Sequence, residues 1–124
     1  MDKEATILYI DDDEQSCRLT TIYLSNAGFD VYIANDTTTA RQCLKKQNID
    51  CIISDVGLPV EDGLKFYQWL QQQPAYKIIP FLFVSAHAVG FDHILTEHRD
   101  IFYEKPIFFP ALIDHVKRLL VKKL

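Results

Sequence analysis

Four short polar clusters each follow an apolar run in this chain, and brought together they would make a centre for phosphoryl chemistry. They are Asp11-Asp12-Asp13-Glu14, Ser54-Asp55, Ser85 and Glu104-Lys105-Pro106. Carboxylates drawn from two segments repel one another, and a divalent cation resolves that repulsion. Two or three carboxylates, with an incomplete shell left for phosphate oxygens, suit Mg²⁺ and do not resemble a zinc or copper site. With the charge cancelled, one carboxylate can attack a phosphoryl group while a lysine and a hydroxyl hold its equatorial oxygens. Asp55, Lys105 and Ser85 are the natural trio for those roles. Taken singly, each cluster has a plainer reading: a solvated acidic loop, a surface lysine, a serine capping a helix. His87, His93, His98 and His115 share no metal-ligand spacing and read as surface or satisfied histidines, although His87 follows Ser85 closely.

The elements that must position these residues are legible from hydrophobic period. Strand-like segments rich in Ile, Val, Phe and Tyr fall at 6–10, 30–34, 50–54, 79–84 and 101–104, and they alternate with segments of helical period. Three of them are nearly continuous apolar runs, which marks parallel strands covered on both faces. The spacing predicts a first helix near 14–27, with Leu19, Ile22, Tyr23 and Ala27 as its core stripe and Gly28 as its stop. A second helix follows an Asp36 cap and carries Ala40, Cys43 and Leu44. A third carries Phe66, Trp69 and Leu70 and ends before Pro74. The fourth, around 89–98, is weak because Gly90 interrupts it. The last begins near Pro110 and turns Leu112, Ile113, Val116, Leu119 and Leu120 inward, with Lys117, Arg118, Lys122 and Lys123 outward. The predicted fold class is therefore α/β, a doubly wound five-stranded parallel sheet with helices on both faces, (βα)5. In such a sheet the ligand site lies beyond the carboxyl ends of the strands, where all four polar clusters fall.

Composition narrows the function classes. A chain of 124 residues is about one domain against a prior of roughly 150, and 48% apolar content can bury a core without staples. One domain over 1–124 is expected. The apolar runs fall short of the roughly 18 residues needed to span a membrane, and the start lacks the pattern of a signal peptide, so a cytoplasmic protein is expected. The three cysteines, Cys17, Cys43 and Cys51, show no ligand spacing and read as free thiols. A net charge of −4 argues against direct binding of nucleic acid.

The ordered motifs Ile7-Leu8-Tyr9-Ile10-Asp11-Asp12-Asp13, Asp55-Val56-Gly57-Leu58-Pro59-Val60-Glu61-Asp62-Gly63, Phe83-Val84-Ser85-Ala86 and Tyr103-Glu104-Lys105-Pro106 span the chain. Through them the sequence resembles the receiver domain of bacterial two-component response regulators, a flavodoxin-like fold. The resemblance implies a phosphorelay switch that is no enzyme beyond its own phosphorylation and dephosphorylation. Asp55 would be the phosphoacceptor. Asp12 and Asp55, with the main-chain carbonyl of Gly57, would bind Mg²⁺, with Asp11 assisting. Ser85 and Lys105 would contact the phosphoryl group, the Lys105–Pro106 bond would be cis, and Phe102 would be the aromatic switch. Ser85 moving toward the new oxygens would let Phe102 turn inward and remodel the face made by the fourth helix, fifth strand and fifth helix. The implied partners are a sensor histidine kinase or histidine phosphotransfer protein upstream, a downstream effector protein or domain, and a second copy of the chain in a homodimer through that face.

The chain also departs from the family pattern. The stretch from Ser85 to Lys105 is slightly short, and His98-Arg99 replace a small pair. Gly57 and His87 occupy positions that in the family tune hydrolysis, and Gly57 offers no side chain to steer water. Phe102 replaces tyrosine and lacks its hydroxyl. Two rival readings stand beside the switch. In a haloacid-dehalogenase-type phosphatase Asp11-x-Asp13 would be the nucleophile motif, but the chain is short and shows no late acidic motif. In a docking module that is never phosphorylated, the basic last helix would meet nucleic acid, yet its lysines read more simply as a solvated face.

Overall fold

Side chains along the central strands alternate between two apolar layers, and this alternation organises the molecule. The computed structural model describes residues 5–58, 61–85, 102–104 and 106–123. Strands β1 (Thr6–Ile10), β2 (Asp30–Ala34), β3 (Cys51–Asp55), β4 (Phe81–Ser85) and β5 (Phe102–Glu104) form one sheet in the order β2-β1-β3-β4-β5. Every pairing is parallel, so the predicted doubly wound α/β sheet is the one that forms. Leu8, Ile10, Ile52, Phe81 and Phe83 face one layer, with Ala40 and Leu44 of α2 (Thr37–Lys46) and Phe66 and Leu70 of α3 (Gly63–Gln71). Ile7, Tyr9, Ile53, Leu82 and Val84 face the other, with Cys17 and Leu24 of α1 (Glu14–Asn26) and Leu112, Val116 and Leu119 of the C-terminal helix (Phe109–Lys123). Each such fully buried side chain stabilises the fold by roughly 1.5–3 kcal/mol.

Two strand ends differ from the sequence expectation in a way that matters for the site. The ladder pairs Asp55 with Val84 and Ser85 with Glu104. Asp55 and Ser85 are thus the last residues of their strands, held by the sheet, rather than the first residues of loops. The segment at 89–98 that predicts a fourth helix lies outside the described residues.

The first helix corrects its predicted core stripe. Cys17, Thr20 and Leu24 face the core, whereas Leu19, Ile22 and Tyr23 are 44%, 50% and 47% exposed. The core takes up Leu24 with the smaller Cys17 and Thr20, and the stripe of Leu19, Ile22 and Tyr23 faces outward. Gly28 ends the helix as predicted, at φ 99°, a left-handed conformation that costs glycine little. The three cysteines form no disulfide, Cys17 and Cys51 being buried and Cys43 half-buried.

The starts of α1, α2 and α3 are each capped by an aspartate. Asp13 accepts from the Gln15 amide, Asp36 from the Thr39 amide at 2.7 Å and Asp62 from the Lys65 amide at 2.8 Å. The Thr39 amide, helped by the Thr39 hydroxyl, holds the Asp36 carboxyl below its ordinary value. A lowered value in the folded state contributes stability above the ordinary aspartate range and loses it as the pH falls through the lowered value. Asp36→Ala is therefore expected to cost about 1 kcal/mol near neutral pH, with the gap from the native chain narrowing in acid. Urea unfolding at pH 7 and at pH 3 measures both.

Candidate acidic site at the strand tips

The site begins where β1 runs out. Asp11 follows Ile10 directly and is fully buried, with its amide donating to the Ala34 carbonyl of β2 at 3.1 Å. A buried carboxylate needs donors, and this one has them. Its Oδ1 accepts the Asp13 amide at 2.9 Å and its Oδ2 accepts the Tyr9 phenol at 3.0 Å. Its main-chain carbonyl accepts from the Asn35 side-chain amide at 3.1 Å and from the Cys17 thiol at 3.2 Å. Burial, reinforced by the negative charge of Asp11, pushes the Cys17 thiol up to about 11. Burial likewise raises the Tyr9 phenol far above its ordinary value, against the pull of the Ser16 and Thr20 hydroxyls. Both groups therefore stay protonated at neutral pH and serve as donors.

Asp12 is exposed on the rim and Asp55 is half-buried at the tip of β3. One carboxylate oxygen from each of Asp11, Asp12 and Asp55 falls within 4.8 Å of the others. Asp55 Oδ1 accepts the Gly57 amide at 3.3 Å. Gly57 is exposed, and a side chain there would meet open space. Ser85 is buried at the tip of β4, next to β3. Lys105, His87, His93 and His98 lie outside the described residues, as does the side chain of Phe102, whose backbone belongs to β5. The donor set is three carboxylates, all hard oxygen, which fits Mg²⁺ and not a soft metal.

Asp62-Gly63 reads as a turn in the sequence, but two contacts of the loop leaving β3 carry no local signal. Gly63 opens α3, and its amide donates to the Val56 carbonyl at 2.8 Å. It lies so close to the Asp55 carbonyl oxygen that any β-carbon would clash with it, and would stand 3.1 Å from Ser54 Oγ. Arg41 of α2 pairs with Glu61 of the same loop at 2.9 Å, its guanidinium 4.4 Å from the Trp69 ring centre. Beside the site, a groove of about 270 Å³ runs between α1 and the start of the C-terminal helix, lined by residues that include Ser16, Leu19, Pro106 and Phe109.

A five-stranded parallel sheet with an acidic cluster at its carboxyl rim, able to hold a metal ion, defines a doubly wound α/β domain. Over residues 7–117 the chain matches the response regulator receiver domain, and it belongs to that family. The transcriptional regulatory protein GltR of Pseudomonas aeruginosa is 31% identical over 117 residues, which cover 93% of this chain and 48% of that protein. The polar-differentiation response regulator DivK of Brucella ovis is 24% identical over 117 residues, 93% of this chain and 95% of that protein. Among solved structures, the Vibrio cholerae chemotaxis response regulator CheY4 superposes with TM-score 0.81 at 27% identity, covering 93% of this chain and 98% of that one. The signal receiver domain of a histidine kinase from Syntrophus aciditrophicus does so with TM-score 0.85 at 28% identity, covering 95% of this chain and 91% of that one. The chain spans about half the length of GltR and similar transcriptional regulators. Among the described residues, no helix is long and apolar enough to cross a membrane.

Because Gly63 touches the backbone that carries Asp55, Gly63→Ala is expected to destabilise the domain by roughly 1–3 kcal/mol, read as a lower midpoint in urea unfolding.

Proposed function

We propose that the chain is a phosphorelay switch in which Asp55 accepts a phosphoryl group from a phosphohistidine donor, and that residues 1–124 form one receiver domain. The observation that carries this reading is the convergence of Asp55, on the strand between β1 and β4, with the two acids at the end of β1. Asp11 and Asp12, with Asp55 and the main-chain carbonyl of Gly57, are the residues that would hold Mg²⁺. When bound, the ion offsets the charge that accumulates on phosphoryl oxygens during transfer. The Gly57 amide holds one Asp55 oxygen, which orients the carboxylate. An Asp55 oxygen bonds to phosphorus as the P–N bond to the donor imidazole breaks, and the imidazole leaves with that bonding pair. Ser85 is the hydroxyl assigned to the transferred group, and Lys105 the ammonium, the latter through the family resemblance.

The same reading assigns output to Ser85 and Phe102. Drawing Ser85 toward new oxygens frees room for the Phe102 ring and changes the face of the fourth helix, fifth strand and C-terminal helix, where an effector or a second copy would bind. A tenfold change in partner affinity needs only about 1.4 kcal/mol of coupling. Open space beside Gly57 leaves water a path to the phosphoryl group, so Gly57 and His87 are assigned to the tuning of hydrolysis. The phosphatase alternative loses ground because Asp13 caps α1 and Asp11 is fully buried, so neither is free to meet a substrate. A cytoplasmic location accords with this role.

A donor protein must sit on the rim to reach Asp55, and the exposed apolar stripe of α1 borders that rim. Leu19 lines the groove there while Ile22 and Tyr23 extend the surface. We assign this stripe to the protein that carries the phosphohistidine.

In the presence of Mg²⁺ and a small acyl phosphate, the native chain is expected to take up acid- and heat-labile phosphate, and Asp55→Asn to take up none. Undiminished labelling of Asp55→Asn, followed by phosphate-affinity electrophoresis, would refute the assignment. Leu19→Asp is expected to slow transfer from a phosphorylated donor protein by about tenfold more than labelling by the acyl phosphate, in line with loss of one apolar anchor. Equal slowing in both stopped-flow assays removes the stripe from the donor interface.

A further inference from the structure

Tyr9 is fully buried in the α1 layer, yet its hydroxyl is not spent on packing. It lies 3.0 Å from Asp11 Oδ2 and 2.9 Å from Ser16 Oγ. A phenol carries a single proton, and a carboxylate can only accept. The proton therefore goes to Asp11, and the Ser16 hydroxyl must donate to the phenol oxygen. The result is a polarised chain, Ser16 to Tyr9 to Asp11, running from the first turn of α1 to the acidic cluster. The Asp13 amide fixes the other Asp11 oxygen. Between them these donors remove the rotational freedom of the one carboxylate in the cluster that is wholly out of solvent.

We infer that Tyr9, backed by Ser16, is a positioning residue for the metal-binding acids: it sets the orientation of Asp11 and with it the preference of the site for Mg²⁺. The inference rests on the proposed Mg²⁺ site and extends it to a residue outside the ligand set. Groups that hold a ligand from behind are worth about 10–100-fold in metal affinity. They matter most to Mg²⁺, which demands near-octahedral geometry, and less to Ca²⁺, which tolerates an irregular shell. A loosened Asp11 should thus cost more Mg²⁺ affinity than Ca²⁺ affinity, whereas a general weakening of the fold would lower both alike.

The test is isothermal titration calorimetry of the full chain with Mg²⁺ and separately with Ca²⁺, for the native protein, Tyr9→Phe, Ser16→Ala and Asp12→Asn. Tyr9→Phe is expected to bind Mg²⁺ about tenfold more weakly and Ca²⁺ with a smaller loss. Ser16→Ala, which leaves the ring in the core, should show the same selective loss to a lesser degree. Unchanged Mg²⁺ affinity in Tyr9→Phe, or equal losses for the two ions, overturns the inference. If Tyr9→Phe does not fold, Ser16→Ala decides by the same criterion. Failure of the underlying site is recognised separately: the native chain would then bind no Mg²⁺, or Asp12→Asn would bind it as tightly.

Discussion

Three carboxylates packed within 4.8 Å are the constraint around which this domain is built. Like charges that close repel, the more so where water is excluded, and a small domain has little stability to spare. The fold meets the cost with geometry. All strands are parallel, so their carboxyl ends share one rim, and each helix that follows a strand presents its amide-rich start to that rim. Asp11 is surrounded by an amide and a phenol, Asp55 by the Gly57 amide, and Asp12 faces solvent.

The loop after β3 is tied down at its two described ends in different ways. Gly63 does the holding, because contact with the Asp55 backbone leaves no slack between strand and helix. The outer part of the loop is tied differently. Arg41 and Glu61 are each partly exposed, and a pair of that kind contributes only about 0–1 kcal/mol. The Arg41 stack on Trp69 adds a contribution of similar size. The inner end of the loop is thus fixed by sterics, which do not weaken gradually, and the outer end by interactions that thermal energy can open.

How much of this was legible in the sequence follows from which interactions carry a local signal. Near-continuous apolar runs in β1, β3 and β4 disclosed parallel central strands, and the polar residues after them disclosed the rim. Asp36 and Gly28 were readable because caps and stops depend on one residue's own chemistry. Strand ends were not, because only the ladder from neighbouring strands draws Asp55 and Ser85 into the sheet. Gly63 was visible as a turn residue, but its approach to Asp55 belongs to the packing of two elements. The Tyr9 contact had a signal that went unused: residues two apart on a strand share a face, so a tyrosine at position 9 stands beside the acid at 11.

Helix α1 shows how the same ambiguity can hide a function. Leu19, Ile22 and Tyr23 read as core because they are apolar and recur at helical spacing. The sheet takes Cys17, Thr20 and Leu24 instead, a set spaced i, i+3, i+7 along one side of the helix. The outward stripe then contributes little to folding, and Tyr23 stacks with Phe109 at 4.2 Å in a pair that is itself partly open to solvent. Ser16 and Asp13, which anchor the acids through Tyr9 and a main-chain amide, stand in and just before the first turn of this same helix. Leu19 lies one turn further on. The stripe proposed for the donor protein therefore lies on the same helix as the groups that orient Asp11, so any displacement of α1 reaches the acidic rim through Ser16 and Asp13.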